Sequence, residues 1–441
     1  MEFIPNFLFF IVFSIGVGLF VTNIKKVFNN IRLGKDINRN DRKKERWINM
    51  ALLALGQSKM VHRPVSGILH IVVYVGFILI NIELLEIIVD GLLGTHRVFA
   101  PYLGGLYNIM IGTFEILAFL VIISVVIFWI RRNIIKLKRF MNPEMKGWPK
   151  NDADFILYFE IVLMFLFLSM NATDGLLQEL NTINYIKAGA YPISIYLQPL
   201  YDSLSQSSLI VLERTFWWLH IIGILIFANY LYYSKHLHIL LAFPNTFYAN
   251  LDSKGRFKNN SNVTKEVKLM MDPNSDPFSV EPSESTPEKF GVSDVTDMNW
   301  VQLLNAYTCT ECGRCTSECP ANQTGKKLSP RKIMMDTRDR LVEVGDNFRK
   351  NKDKLLPDGK ELLNDYITSE ELWACTSCNA CVEACPIGID PLSIIMDMRQ
   401  YLVMEKSSAP GDLNKMMGNI ENNGAPWPFN NQDRLLWANE D

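Results

Sequence analysis

The chain has 441 residues, of which 49% are hydrophobic, and its formal net charge is −2. This balance excludes the basic excess typical of nucleic-acid-binding proteins and the acidic excess typical of disordered chains. The mean hydropathy of +0.08 averages two unlike parts. Long apolar runs fill residues 1–249, whereas residues 250–441 are polar and contain all eight cysteines.

Five apolar stretches in the first part are long enough to cross a membrane, which takes about 20 residues of helix. The first stretch lacks the positively charged start of a signal peptide, and Lys25 and Lys26 follow it, so we expect an uncleaved span. The sequence therefore predicts a mainly α protein whose residues 1–249 form a five-helix transmembrane bundle. The predicted spans are 3–24, 66–89, 106–130, 154–175 and 209–233.

The charges of the loops predict the orientation of this bundle, because Lys and Arg accumulate on the cytoplasmic side. Loop 25–63 contains 11 Lys and Arg residues and loop 131–150 contains 7, whereas loops 90–105 and 176–208 contain one each. We expect a multi-pass protein of the cytoplasmic (inner) membrane with its N-terminus outside and everything after residue 233 in the cytoplasm. Membrane lipid surrounds the spans, and the basic loops require no nucleic-acid partner.

The polar part divides into three segments. Residues 250–298 are rich in Asp, Ser, Asn and Pro and predict a linker without regular structure. Helical patterning resumes at Trp300, continues in the amphipathic segment SPRKIMMDTRDRLVEVG, and predicts a helical domain over residues 299–407. Residues 408–441 form a tail that is rich in Asn and Gly.

Two motifs of the form C-x2-C-x2-C-x3-C-P, CTECGRCTSECP and CTSCNACVEACP, contain the eight cysteines. This spacing is typical of two 4Fe–4S clusters, in which the fourth cysteine of each motif binds the other cluster. The expected ligands are Cys309, Cys312, Cys315 and Cys385 for cluster 1, and Cys375, Cys378, Cys381 and Cys319 for cluster 2. Two zinc sites could also use eight cysteines, but the third cysteine and the Cys-Pro pair fit zinc poorly. The reducing cytoplasm disfavours disulfides.

Five of the six histidines lie in or beside the second and fifth spans. His220 and His238 are 18 residues apart, which is about five helical turns, so we expect them on one helix face. Paired histidines can hold haem iron. Depth predicts haem b between His62 and His238 and a deeper haem between His70 and His220. Because the histidines are eight residues apart on the second span and eighteen apart on the fifth, the number of haems, one or two, stays open. So does the alternative that these histidines only form hydrogen bonds with neighbouring helices. His236 points away from His238 and ranks lower.

Ionisable side chains also lie within the predicted spans, mostly towards the outer side: Glu83, Glu86, Glu115, Glu160, Glu213 and Arg214. One interpretation is an ion pair of Arg214 with a glutamate that holds helices together. The other is a quinone site with Glu86, Glu115 and Arg214, since quinone chemistry moves protons together with electrons.

The five spans and their histidines resemble the cytochrome b (gamma) subunit of respiratory nitrate reductase and the small membrane subunit of heterodisulfide reductase. The spacing of eight residues between His62 and His70 departs from that pattern. The two cysteine motifs resemble the helical dicluster domain of heterodisulfide reductase-related and anaerobic glycerol-3-phosphate dehydrogenase C-subunit-like proteins. Together the two resemblances cover nearly the whole chain.

Longer relatives, including membrane oxidoreductases proposed to oxidise electron-transfer flavoprotein, carry a cysteine-rich CCG domain after a segment like GNIENNGAPWPFNNQDRLLWANED. This chain ends at Asp441. The resemblance therefore implies a separate CCG-bearing partner that docks on the dicluster domain and the tail, with Asn419, Asn423, Pro426 and Trp427 as anchors. Electron-transfer flavoprotein or another flavoprotein is the implied electron source.

The expected function is that of an electron-transfer subunit of a quinone-linked oxidoreductase, which needs its partner protein for substrate turnover. Electrons would pass from the cytosolic partner through two 4Fe–4S clusters and haem b to quinone. The reverse direction, in which quinol drives reduction of a cytosolic disulfide, stays open. A transporter or scaffold with structural clusters is disfavoured, because the membrane half shows no internal repeat.

Overall fold

The computed structural model describes residues 4–257, 259–273 and 289–438. These residues contain eighteen α-helices and short 3₁₀ turns. Extended pairing within them is limited to isolated bridges such as Lys35 with Asn299. The predicted mainly α fold, with a five-helix membrane bundle before a helical domain, is confirmed.

Eight helices belong to the first 249 residues, and they are listed here in chain order: α1 Ile4–Ile31, α2 Lys43–Met50, α3 Pro64–Leu93, α4 Ala100–Leu103, α5 Gly105–Asn133, α6 Trp148–Glu179, α7 Gln206–Tyr230 and α8 His238–Phe247. Helices α1, α3, α5, α6 and α7 are long and apolar enough to span a membrane. The backbone N–H and C=O groups of a helix are hydrogen-bonded within the helix, so they need no partner from the lipid. The chain is therefore a membrane protein.

Small residues allow the spans to approach one another closely. A Cβ atom on Gly76 of α3 would lie 2.7 Å from Cγ2 of Val121 on α5, and one on Gly223 of α7 would lie 2.8 Å from Cδ2 of Leu163 on α6. Both distances are too short for a real contact. The glycines therefore set the α3–α5 and α6–α7 packing that places the histidine-bearing helices.

The fifth span does not continue to His238. Helix α7 ends at Tyr230, and two 3₁₀ turns, Leu231–Tyr233 and Lys235–Leu237, follow before α8 begins at His238. Between the turns Ser234 is extended, and its hydroxyl accepts a hydrogen bond from the backbone N–H of His236 at 3.0 Å. Such side-chain bonding to nearby backbone competes with helix. The expectation that His220 and His238 share one face of a continuous helix is wrong.

The second part of the chain contains ten helices, again in chain order: α9 Ser261–Met271, α10 Trp300–Thr308, α11 Arg314–Ser317, α12 Pro320–Gln323, α13 Pro330–Lys350, α14 Leu362–Asp365, α15 Ser369–Trp373, α16 Ala380–Ala384, α17 Pro391–Met404 and α18 Gly411–Asn423. Helices α10, α13 and α17 pack together around a shared apolar core.

The predicted linker over residues 250–298 is shorter than expected. Helix α9 lies within it, and Val292, Val295 and Met298 are buried in the core of the following domain. Arg340 of α13 holds this segment by donating to Asp294 at 2.7 Å. The polar composition concealed these contacts. Residues 274–288 of the predicted linker lie outside the described residues.

The membrane half and the helical domain pack directly on each other. At the end of α1, Asn30 donates to the hydroxyl of Tyr307 at 2.7 Å and accepts from Arg349 at 2.6 Å. The backbone N–H of Lys35 donates to the carbonyl of Met298 at 2.7 Å, and that of Trp300 donates to the carbonyl of Lys35 at 3.1 Å. The basic loop 25–63 thus contacts the helical domain.

A buried ionic cluster also joins the two halves. Glu311 is buried and accepts from Lys235 of the membrane half, and from Arg338 of α13 at 2.7 Å. Removing one member of a buried ion pair leaves its partner charge uncompensated.

We expect Glu311→Ala to lower the free energy of unfolding by about 3–5 kcal/mol, because Lys235 and Arg338 lose the buried anion that they share. Of the described carboxylates, Lys235 then keeps only Asp152, at 3.7 Å, and Arg338 keeps only the exposed Asp339. Denaturant titration of the purified protein in detergent, followed by circular dichroism, measures this loss. The matched control is Asp339→Ala, since Asp339 pairs with the same Arg338 but is exposed, and an exposed pair contributes only about 0–1 kcal/mol. Equal losses in the two variants would contradict the assignment.

Candidate electron-transfer site

Left-handed backbone conformations bend each cysteine motif into a tight loop. In the first motif Glu311 has φ 56° and Gly313 has φ 73°, and in the second motif Ser377 has φ 56° and Asn379 has φ 61°. These residues occupy the same offsets from the first cysteine in both motifs. Glycine and asparagine are the residues that adopt such φ values most readily. Each loop then leads into a short helix, α11 or α16, that contains the third cysteine.

The structure brings the cysteines together in two groups. Cys385 lies within electrostatic range of Cys309, Cys312 and Cys315. Cys319 lies within range of Cys375 and Cys381, and Cys378 within range of Cys375, so these four form the second group. The fourth cysteine of each motif thus joins the first three of the other motif. This is the grouping that the crosswise ligand assignment expects.

The surroundings of the thiols fit iron–sulfur clusters. Burial raises the pKa of the Cys309 and Cys381 thiols to about 12, so their thiolates need a compensating cation such as iron. Backbone N–H groups donate to sulfur, from Ser377 to Cys375 at 3.4 Å and from Ile389 to Cys385 at 3.3 Å. Hydrogen bonds of this kind tune cluster potentials.

In the described part of the chain, no three His, Cys, Asp or Glu side chains are arranged so that they could bind a single metal ion. In a 4Fe–4S cluster each thiolate binds its own iron. All eight cysteines are free of disulfides. One cysteine of the first group and two of the second are buried, and Cys378 of the second group is the one exposed thiol of the eight. The cysteine site therefore reaches the solvent at Cys378.

Basic side chains border the first cysteine group where it faces the membrane bundle. Arg314 is buried, interacts electrostatically with Cys312 and Cys385, and donates to the carbonyls of Lys59 and Met60 at 3.0 and 3.2 Å. Arg314 is also within electrostatic range of His70. This guanidinium therefore links the first cysteine group to the histidines at the near end of α3.

His70 and His238 face each other at that end of the bundle. Their ring centres are 6.3 Å apart and their planes are inclined by 44°. A metal that binds two imidazoles through bonds of about 2 Å separates the ring centres by roughly 6 Å once the ring radii are added. Nδ1 of His70 is buried without a hydrogen-bond partner, and Nδ1 of His238 is bonded to the carbonyl of Lys235 at 3.2 Å. These two histidines fit bis-histidine ligation of a haem iron.

The pairs expected from depth are not formed in the described part of the chain. His62 is exposed in the 3₁₀ turn Met60–His62, before α3 begins, so it lies outside the bundle. His220 is buried, its Nδ1 is bonded to the carbonyl of Leu163 at 3.1 Å, and its ring neighbour is Phe167 rather than His70. The break at Ser234 turns the chain so that His238 meets His70 instead.

His236 lies closer to this pair than expected. Its ring centre is 5.5 Å from that of His238, and its Nε2 is 3.7 Å from Oε1 of Glu160 on α6. The low rank given to it from the sequence assumed a continuous helix through residue 238. The 3₁₀ turn at Lys235–Leu237 places it beside His238 instead.

A second polar site lies at the opposite end of the bundle, around Arg97. Arg97 is buried and donates to Glu83 at 3.2 Å, to Asn171 at 2.7 Å, to Asp174 at 2.9 Å and to the hydroxyl of Tyr107 at 3.3 Å. This centre was not predicted from the sequence, where Arg97 counted only as a loop charge. Asp174 was not considered either, although an acidic residue inside a predicted span was a usable signal.

The structure does not bring the three residues of the predicted quinone site, Glu86, Glu115 and Arg214, together in one place. Glu86 and Arg214 line one small cavity of about 20 Å³, next to Arg97. Glu115 accepts from Asn171 at 3.0 Å and from the hydroxyl and backbone N–H of Ser194, which ties the loop after α6 to α5. These contacts indicate a structural role for Glu115. Arg214 pairs with its neighbour Glu213 at 2.5 Å rather than across helices.

The tail folds on itself. Asn419 donates to the carbonyl of Pro426 at 3.1 Å, and Asn423 donates to that of Trp427 at 3.4 Å. Trp427 is 39% exposed and Trp437 is 75% exposed. Neither tryptophan is therefore buried against the rest of the described structure.

Comparison with known proteins decides the nature of the cysteine site. A family model described as a 4Fe-4S dicluster domain matches residues 308–389. This segment is a 4Fe–4S dicluster domain. The match includes all eight cysteines of the two motifs, so the iron–sulfur prediction is confirmed at the level of the domain.

The chain is 29% identical to the probable iron-sulfur-binding oxidoreductase FadF of Bacillus subtilis, over 98% of this chain and 60% of that protein. It is 26% identical to the EtfAB:quinone oxidoreductase of Syntrophomonas wolfei, over 99% of this chain and 60% of that protein. A component of the ferredoxin/F(420)H(2)-dependent CoB-CoM heterodisulfide reductase of Methanosarcina acetivorans is 33% identical over 24% of this chain and 52% of its own length.

These relatives confirm the expected resemblance of the dicluster domain to heterodisulfide reductase-related iron–sulfur proteins, and they support an iron–sulfur oxidoreductase role in electron transfer. The chain spans 60% of the length of the first two relatives. No solved structure matches the chain. The likeness of the membrane half to the nitrate reductase gamma subunit stays a prediction.

Proposed function

We propose that this chain is the electron-transfer subunit of a membrane-bound, quinone-linked oxidoreductase. The observation that carries the proposal is the contact of Arg314, which follows Cys312 in the first motif, with the carbonyls of Lys59 and Met60 just before α3, the helix that contains His70. It supports a continuous path from the dicluster domain into the bundle. When bound, the two clusters and haem b supply one-electron redox chemistry, and the protein supplies their ligands and surroundings.

The ligand sets that we propose follow the grouping of the side chains. Cys309, Cys312, Cys315 and Cys385 hold cluster 1, and Cys375, Cys378, Cys381 and Cys319 hold cluster 2. His70 and His238 hold one haem b. His62 and His220 have no part in this path, because neither faces a second histidine in the described structure.

The electron donor binds near cluster 2. The exposure of Cys378 supports entry at this point, and the exposed tail offers Trp427 and Trp437 as contact residues. We propose a CCG-bearing iron–sulfur protein as the docking partner, with electron-transfer flavoprotein or another flavoprotein as its electron source. The name of the Syntrophomonas relative, which matches over almost the whole chain, supports this donor class.

The quinone reacts at the far end of the bundle, near Glu86 and Arg214. The dicluster domain contacts the basic loops, which supports a cytoplasmic position for the domain and an inner-membrane location with the N-terminus outside. Electron flow towards quinone is favoured over quinol-driven disulfide reduction. The heterodisulfide reductase component matches only a quarter of the chain, whereas the quinone oxidoreductase matches nearly all of it.

A reoxidation experiment tests this function. The purified protein, loaded with clusters and haem, is reduced anaerobically with one equivalent of dithionite and mixed with a water-soluble quinone analogue. We expect the haem and cluster absorbance to return to the oxidised state. A matched sample mixed with buffer alone stays reduced. A protein that stays equally reduced with and without the quinone would contradict the proposed function.

A further inference from the structure

In the part of the chain that the structure describes, five carboxylates are buried at the far end of the bundle, beside the two guanidinium groups of Arg97 and Arg214. The carboxylates belong to Glu83, Glu86, Glu115, Asp174 and Glu213, each at most 2% exposed. Burying an anion without a partner costs several kcal/mol, so an excess of buried carboxylates over cations is compensated by bound protons. The question is which carboxyl group can exchange its proton.

Four of the five carboxylates have partners for their oxygens. Glu213 binds Arg214 and the hydroxyl of Tyr185. Glu86 accepts from the hydroxyl of Tyr107 at 2.7 Å and from the backbone N–H of Phe99 at 2.9 Å.

Asp174 accepts from Arg97 and from the hydroxyl of Tyr191 on one oxygen. Its other oxygen has no hydrogen bond but lies at an ion-pair distance of 3.3 Å from Nε2 of His96. Glu115 is held by Asn171 and Ser194. Asp90, at the end of α3, accepts from the backbone N–H of Arg97 at 2.8 Å. All of these groups serve as fixed parts of a hydrogen-bonded frame.

Glu83 differs from the other four. Its Oε1 accepts from Arg97 at 3.2 Å, whereas its Oε2 is buried without a hydrogen-bond partner and, unlike Oδ1 of Asp174, is not paired with a histidine. Glu83 lines the cavity of about 20 Å³, which is enough for one water molecule. His96 lines the same cavity and is the more exposed of the two, with its Nδ1 also unpartnered. The free carboxyl oxygen therefore faces a water-sized space whose other wall reaches towards the surface.

We propose that Glu83 is the proton-exchange group of the quinone reaction, and that it communicates with the water side through the cavity and His96. The inference rests on the proposed function and adds the proton route to it. Reduction of a quinone to quinol takes two electrons, which the bound clusters and haem would supply one at a time, and two protons. Glu83 donates these protons one at a time, and after each transfer its carboxylate regains a proton from water at His96. Arg97 stabilises the carboxylate between transfers.

Infrared spectroscopy of the purified protein tests the site without turnover. In wild type we expect a C=O stretch of a neutral carboxyl group that shifts when H₂O is exchanged for D₂O. Glu83→Gln should lose this exchangeable band, and Glu83→Asp should retain it at a shifted position. Glu213→Gln is the control, because both oxygens of Glu213 are bound by Arg214, so this variant should keep the exchangeable band. An undiminished band in Glu83→Gln would overturn the inference.

Turnover gives the second readout. With haem and cluster content unchanged, Glu83→Gln should slow quinone reduction by more than about tenfold, which is an increase of roughly 1.4 kcal/mol in the activation free energy, and Glu83→Asp should restore part of the rate. Wild-type turnover in Glu83→Gln would overturn the proton route. Failure of wild type itself to reduce quinone would instead overturn the proposed function, while the infrared result would still decide whether Glu83 holds an exchangeable proton.

Discussion

Replacing His238 by Ala should remove haem b from the purified protein, and His70→Ala should do the same. The two rings are 6.3 Å apart, at the separation that one metal ion between two imidazoles requires. Removal of a residue that only hydrogen-bonds to a metal ligand already weakens metal binding by about 10–100-fold. Removal of the ligand itself should therefore leave less than about a tenth of the haem. The reduced-minus-oxidised spectrum and the extracted haem content measure this loss.

His62→Ala is the matched control for this experiment. His62 lies eight residues before His70 but is exposed outside the bundle, so the variant should retain its haem. Folding is checked by the iron content of the dicluster domain, which should be the same in all three variants. Retention of haem in His70→Ala together with its loss in His62→Ala would restore the pairing expected from depth and reject the one seen in the structure.

Two double variants of the cysteines should differ sharply in iron content. Cys312→Ala with Cys385→Ala removes two ligands of cluster 1 only, so about four of roughly eight irons per chain should remain. Cys378→Ala with Cys385→Ala removes one ligand from each cluster, so most of the iron should be lost. The prediction follows from the position of Cys385 beside Cys309, Cys312 and Cys315 rather than beside its own motif. Iron analysis and the electron paramagnetic resonance of the reduced protein measure it.

The pair Cys319 and Cys378 provides the reciprocal test. Cys319→Ala with Cys378→Ala removes two ligands of cluster 2 and should spare cluster 1, so this double variant should again retain about four irons. If each motif instead held its own cluster, Cys378→Ala with Cys385→Ala would retain half of the iron, and the other two double variants would lose both clusters. That pattern would contradict the crosswise assignment.

The sequence was sufficient for features that depend on local pattern. The five spans follow from apolar length alone, since only helices of that length satisfy the backbone in lipid. The cysteine spacing predicted the dicluster domain for a similar reason, because three thiols within seven residues must lie on one loop. Both predictions are confirmed.

The histidine arrangement could not be predicted from spacing, because it depends on one break in the backbone. A serine hydroxyl at residue 234 competes with the helix, and α7 stops four residues earlier. Polar residues such as Ser are common inside helices as well, so the sequence alone did not reveal the break. The charge centre at Arg97 was missed for a different reason. Arg97 lies in a loop, its hydrogen-bond partners come from α3, α5 and α6, and only tertiary packing brings them together.

In the proposed path, electrons leave the dicluster domain through the haem site at His70 and His238. Rapid mixing of the dithionite-reduced protein with a quinone analogue, recorded at the haem and cluster absorbance, tests it most directly. We expect that in wild type the clusters are reoxidised together with or after the haem, and that in His70→Ala their reoxidation is more than about tenfold slower. Reoxidation of the clusters at the wild-type rate in a haem-free His70→Ala protein would contradict this electron path.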